Sequence, residues 1–239
     1  MNHYLELLSF GPGGWGDELA RGALVTISLA LVTLPFGLIL GLVVALGQRS
    51  GNRLAHKAAI AFTTVFRGLP ELLTLFIVYY GGQILLQKVA GLFGYGAQIQ
   101  INSFLAGFFA LGLVLAAFSS EVWVGAFNAI PDGQREAARA LGLSAGLSFR
   151  LVVLPQLIRI ALPGLGNNWL VLLKDTSLVS TIALADLMRQ TNLAVGATKE
   201  PLFFYFVACL VYLFFSMLSG GLLGRLEERL GRGQTRGAA

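Results

Sequence analysis

Ionisable side chains are scarce in this sequence. Only 12% of its 239 residues are charged and 56% are hydrophobic, with a mean hydropathy of +0.74, where an ordinary globular domain carries roughly 25% charged residues. That scarcity excludes a soluble domain and points to a chain that spans a membrane. Cysteine occurs once, at Cys209 inside an apolar run, so no intrachain disulfide can form and its expected role is filler between helices. Histidine occurs twice, at His3 near the N-terminus and at His56 among basic residues. No Cys/His or Ser/His/Asp set can be assembled from these. The expectation is therefore no catalytic residue, no metal and no cofactor. The phosphate-cradling G-x4-G-K-[ST] loop is also missing, so ATP is not held by that route. No internal repeat is visible.

What the sequence has in plenty is long apolar runs. Residues 23–46 contain no charge over 24 positions, about 36 Å of helix against a hydrocarbon core of about 30 Å. Residues 202–224 repeat the pattern at the other end, and 103–120 extend helically to 127 past Glu121. Residues 58–87, interrupted by RGLPE, and 160–185, interrupted by KD, complete five spans. The fold class is an all-α membrane protein. Arg49, Arg53 and Lys57 follow the first span, Arg135, Arg139, Arg150 and Arg159 the third, and Arg225, Arg229, Arg232 and Arg236 the fifth. Eleven of the seventeen basic residues thus share one side. The positive-inside rule makes that side cytoplasmic, with the N-terminus outside and the C-terminus inside. The net charge of +5 is a topology signal, which removes the case for nucleic acid. Residues 1–22 read as an extracytoplasmic segment anchored by Trp15, 23–224 as the transmembrane domain, and 225–239 as a cytoplasmic tail with a frayed polar end. A cleaved signal is not expected, because Glu6, Asp17 and Glu18 precede a run that is too long. Gly37 with Gly41, and Gly220 with Gly224, have the spacing of close helix contacts.

The one sizeable cytoplasmic loop, 129–159, is patterned. Pro131 and Asp132 start a helix, Gly142 stops it, Ser144 starts another, and Pro155 marks a kink on the way back to the membrane. The first helix carries alanines and one leucine, too little apolar surface to anchor itself, since full burial of a leucine is worth about 1.5–3 kcal/mol. Its residues Arg135, Glu136, Ala137, Ala138, Leu141 and Gly142 suit a shallow rod fitted into a groove on another protein. A loop folded over its own helix ends remains the alternative.

The spacing Glu136-Ala137-Ala138, Gly142, Val152, Leu154 and Pro155 resembles the EAA loop, EAA-x3-G-x9-I-x-LP, of permeases of bacterial ABC importers, with Val152 in place of isoleucine. FRGLPELL at 66–73, RIALPGLGNNW at 159–169 and LLKDTSLVS at 172–180 are similar to segments of the polar amino-acid permeases, nearest the branch serving histidine, lysine/arginine/ornithine and opines. The resemblance runs from about residue 22 to 230. It implies the type I importer architecture in the bacterial inner membrane and a polar, basic amino acid or opine as substrate. It further implies a cytoplasmic ABC ATPase dimer gripping the loop, a second permease chain, identical or homologous, and a periplasmic solute-binding protein. An ion-gradient-driven secondary transporter is the other reading, though such carriers usually build their site between internal repeats.

Charges at bilayer depth cost about 2.5 kcal/mol or more and mark functional positions. Arg67 and Glu121 lie about 15 Å and 9 Å from the inner side by helix rise. They are expected to pair as a gate or packing contact, unless each reaches separately for headgroups. Glu71 and Lys174 lie about 21 Å up, in the two interrupted spans, where Gly68 with Pro70, and Pro163 with Gly164 and Gly166, supply irregular backbone. Lys174 suits a substrate carboxylate. Glu71 and Asp175 suit an ammonium or a basic side chain, with Asn167, Asn168 and Trp169 as neighbours. The alternative is an internal salt bridge from Lys174 to Glu71 or Asp175.

Overall fold

The computed structural model describes residues 2–93 and 100–231, and every regular element among them is helical. The short α1 (Asn2–Leu7) precedes α2 (Gly16–Gln48), α3 (Arg53–Gly68), α4 (Glu71–Leu92), α5 (Ser103–Asn128), α6 (Asp132–Ala140), α7 (Ala145–Ile182), α8 (Leu187–Thr198) and α9 (Pro201–Gly231). Five of them, α2, α4, α5, α7 and α9, are long and apolar enough to cross a membrane. The polar tail expected to be frayed, with Arg232 and Arg236, lies outside the described residues.

Several boundaries differ from those read off hydropathy. Helix α2 starts at Gly16, inside the expected N-terminal segment, because Asp17 and Glu18 occupy its first turn, where carboxylates oppose the positive end of the helix dipole. Its 33 residues make about 50 Å, so the first turns project beyond an apolar layer of about 30 Å. The stretch 58–87 is two helices. Pro70 disfavours helical backbone at the residue before it; Leu69 is extended (φ −93°, ψ 141°) and α4 restarts at Glu71. The fourth span begins at Ala145 and passes through Pro163, Gly164 and Gly166 without a break. Its irregular turns lie elsewhere: a π stretch over Phe149–Val153 and a 3-10 stretch over Thr176–Ile182, closed by Ala183 in the left-handed region (φ 61°). The π stretch meets the proline's missing N–H at Pro155, and Gln156 Nε2 donates to the Val152 carbonyl at 2.9 Å.

Spans in lipid gain nothing from hiding apolar surface from one another, so close approach and interhelical hydrogen bonds hold them together. The α2–α5 contact shows both. A Cβ at Gly37 would run into Leu115, and one at Gly41 into the Ser119 hydroxyl and the Ala116 carbonyl. Ser119 Oγ donates to the Gly37 carbonyl at 3.2 Å and Trp123 Nε1 to the Leu38 carbonyl at 3.3 Å. Gly220 and Gly224 face open space. Helix α5 is the most enclosed span, with Leu111 and Leu115 packed against Leu29, Leu75 and Leu173. Cys209, expected between helices, is exposed on α9.

Outside the spans, α8 is fastened by Asp186. This residue is fully buried, and its Oδ1 accepts from the Arg189 amide at 2.9 Å, while the Leu187 amide donates to Thr26 Oγ1 at 3.1 Å. Burial pushes the Asp186 carboxyl up to about 6, with the Arg189 and Met188 amides opposing the rise.

Candidate functional site

A cavity of about 170 Å³ opens between α5 and α7. Asn167, Asn168 and Asp175 of α7 supply its polar wall, and Val114 and Phe118 of α5 face them. The 167, 171, 175 spacing brings these α7 residues onto one flank of the helix. Glu71, half-buried in the first turn of α4, stands close enough to Asp175 for the two carboxylates to repel. Asn168 Nδ2 is buried without a hydrogen-bond partner. Lys174, a neighbour in sequence, sits about 100° round the helix from Asp175. It opens onto a separate recess with Ser177, Met188 and Tyr212. Among the described residues neither Glu71 nor Asp175 closes an ion pair with it. Two of the four expected pathway residues, Asn167 and Asp175, line the cavity together; Glu71 stands outside its lining, and Lys174 opens onto the separate recess, each near enough for its charge to act on Asp175. Trp169, expected as a stacking neighbour, is packed into the core on the other side of α7.

Arg67 at the end of α3 and Glu121 on α5 meet, with Nη1 3.4 Å from Oε1. Both side chains remain substantially exposed, at 44% and 42%, so the pair alone adds little stability. Gln48 at the end of α2 donates from Nε2 to Glu121 Oε1 at 3.4 Å and to Thr63 Oγ1 at 3.5 Å, which knits α2, α3 and α5 into one polar contact. The Arg67 guanidinium also lies 5.8 Å from the centre of the Phe118 ring, within cation–π range. Phe118 lines the cavity too, so one ring joins the cavity floor to the ion pair. Sequence reasoning passed over both Gln48 and Phe118. The first is uncharged and ends an apolar run, and the second is one of seventeen phenylalanines.

The loop helix, α6, ends in a Schellman turn: the Leu143 amide donates to the Ala138 carbonyl at 3.1 Å and the Gly142 amide to the Arg139 carbonyl at 2.9 Å, with Gly142 at φ +77°. Glu136, Ala137 and Gly142 are exposed, and Leu141 is 81% exposed. Arg135 is partly buried. Ala138 corrects the expectation for it, because at 2% exposure it seats α6 on its own subunit and presents nothing outward. Gln156 Nε2 reaches Gln134 Oε1 at 3.4 Å, tying α6 to α7.

Comparison with known proteins gives a consistent picture. Residues 37–232 match the family described as binding-protein-dependent transport system inner membrane component. The chain is 39% identical over 234 residues to the octopine transport system permease protein OccQ of Agrobacterium tumefaciens (strain Ach5), covering 98% of this chain and 99% of the relative. It is 41% identical over 223 residues to the histidine/lysine/arginine/ornithine transport system permease protein HisQ of Escherichia coli (strain K12), covering 93% and 97%. A crystal structure of an amino acid ABC transporter with histidines superposes with a TM-score of 0.76 at 30% identity, covering 90% of this chain and 95% of that one. An inward-facing MetNI methionine ABC transporter, at 18% identity and a TM-score of 0.68, shares the fold.

Proposed function

The chain belongs to the family of binding-protein-dependent transport system inner membrane components, and from that premise we propose that it moves a cationic polar amino acid or opine through the α5–α7 cavity. It is an ABC importer permease of the inner membrane, not itself an ATPase, and its family works with an ATPase, a binding protein and a second permease. The relatives named for octopine and for histidine, lysine, arginine and ornithine support the substrate class. The observation that carries it is the cavity itself: Asn167, Asn168 and Asp175 offer acceptors, Glu71 adds a second negative charge nearby, and among the described residues no cation closes an ion pair with either carboxylate, Lys174 acting on Asp175 only at longer range. Lys174 is not assigned a substrate contact. The basic side faces the cytoplasm, the N-terminus lies outside, and Glu136, Ala137, Leu141 and Gly142 form the surface that a cytoplasmic ATPase dimer grips, while Arg135 lines the recess beneath α6. The second permease chain lies alongside, identical or homologous, and a periplasmic binding protein delivers the solute.

Proteoliposomes test this directly. Labelled arginine should accumulate only when ATP, the ATPase and the binding protein are all present, and glutamate should not accumulate. Uptake driven by an ion gradient without ATP would restore the secondary-transporter reading, which family membership does not favour. Arg67 and Glu121 act in this scheme as a gate contact on the cytoplasmic side of Phe118. Arg67→Glu or Glu121→Arg alone should lower uptake roughly tenfold, and the double exchange should recover most of it. An exchange that stays as inactive as the single changes rules the gate out.

A further inference from the structure

A second cavity, of about 390 Å³, lies where α6 tucks against the ends of α2, α5 and α7. Its polar lining is three guanidiniums, Arg49, Arg135 and Arg139, with Ser148, and its apolar floor includes Leu46, Phe127 and Val153. Arg49 is held in place: Nη1 donates to Asn128 Oδ1, and the guanidinium lies 5.2 Å from the Phe127 ring centre. Among the described residues none of the three pairs with a carboxylate. Glu121 is committed to Arg67, while Asp132 and Glu136 on α6 are exposed and reach none of the three. Three like charges converging without compensation repel one another and attract an anion. The wall leads onto apolar side chains open to the surroundings, with Leu46 49%, Phe149 42% and Leu151 60% exposed. That combination of a basic mouth and an apolar apron fits an anion attached to a hydrocarbon chain better than a small ion in water.

We propose that this cavity seats the phosphate headgroup of an anionic phospholipid, whose acyl chains run along the exposed apolar ends of α2 and α7. The headgroup oxygens accept from the three arginines, and the lipid fills the gap between the loop helix and the spans. The inference is read from unpaired guanidiniums and does not depend on the substrate assignment. Its test uses the purified complex of the permease with its partner subunits, and reads thermal unfolding with phosphatidylglycerol, phosphatidylcholine or inorganic phosphate added. Phosphatidylglycerol should raise the midpoint and the other two should not. In R49Q/R139Q the apparent affinity for phosphatidylglycerol should fall roughly thirtyfold, whereas R53Q, outside the cavity, should behave as wild type. An equal shift with phosphatidylcholine, the same shift with inorganic phosphate alone, or an undiminished shift in R49Q/R139Q overturns the proposal. So does loss of the ATPase from R49Q/R139Q with lipid retention unchanged, which would give the arginines to a protein carboxylate. Should the double variant not fold, native mass spectrometry of R49Q and R139Q separately counts retained phosphatidylglycerol. Retention equal to wild type refutes the site.

Discussion

Gly142→Val should cut ATP-driven uptake at least about tenfold while the chain still inserts and folds. Gly142 sits at φ +77°, a region that costs an L-residue roughly 1–2 kcal/mol and a β-branched one more. The spans bury no part of this glycine, and nothing lies within 4 Å of an added Cβ, so the strain falls on the turn alone. Its relief reorients Leu141 and Leu143 and swings α6 relative to α7. Coupling between distant sites is typically worth 1–3 kcal/mol, so a misaligned docking rod forfeits most of it. Uptake measured in proteoliposomes, beside ATPase co-purification on tagged permease, separates the outcomes: full uptake by Gly142→Val would mean that the rod transmits nothing. Gly142→Ala, with less strain, should fall between.

Asp175→Asn should lower uptake of a cationic amino acid by roughly 10- to 100-fold, because a hydrogen bond to a charged partner is worth about 1.5–3 kcal/mol. Asparagine keeps the shape and removes the charge, so the folded chain is preserved while the attraction for an ammonium or guanidinium goes. Lys174→Gln, on the other flank of α7, should change uptake less than about twofold, as exposed substitutions generally do. Concentration series of labelled arginine uptake provide the check. Equal losses in both variants, or none in Asp175→Asn, would move the substrate contact away from this wall.

Which parts of this molecule are legible in a string of residues follows from the range of the forces involved. Uncharged runs and basic flanks are set by the bilayer, so the five spans can be read from hydropathy alone. The turn at Gly142 is equally local, since one glycine stops one helix. The split of the second span at Pro70 is local in cause, yet hydropathy averages across it and joins α3 to α4. Asp175 and Lys174 show the other limit: adjacent in sequence, they open onto different cavities because a helix turns about 100° per residue, and only packing says which flank faces α5. Ala138 is the same lesson in the loop, where an alanine-rich pattern marks a contact without telling which alanine looks inward. Pro163, Gly164 and Gly166 resemble a break, but in the structure an added Cβ at Gly164 meets Val122 and one at Gly166 meets Leu223. There small size serves close packing and not bending. Phe118 and Gln48 become informative only once their neighbours are known.

The helix that begins beside the loop rod at Ala145 is the same one that carries Asn167 and Asp175 to the cavity wall. From Ser148 to Asp175 it is a single shaft of about 40 Å, with no joint along it apart from the wider turn over Phe149–Val153. A rotation of the loop rod would therefore reach the cavity wall along one shaft, with the compliance of the linkage concentrated in the five residues Phe149–Val153 next to the rod.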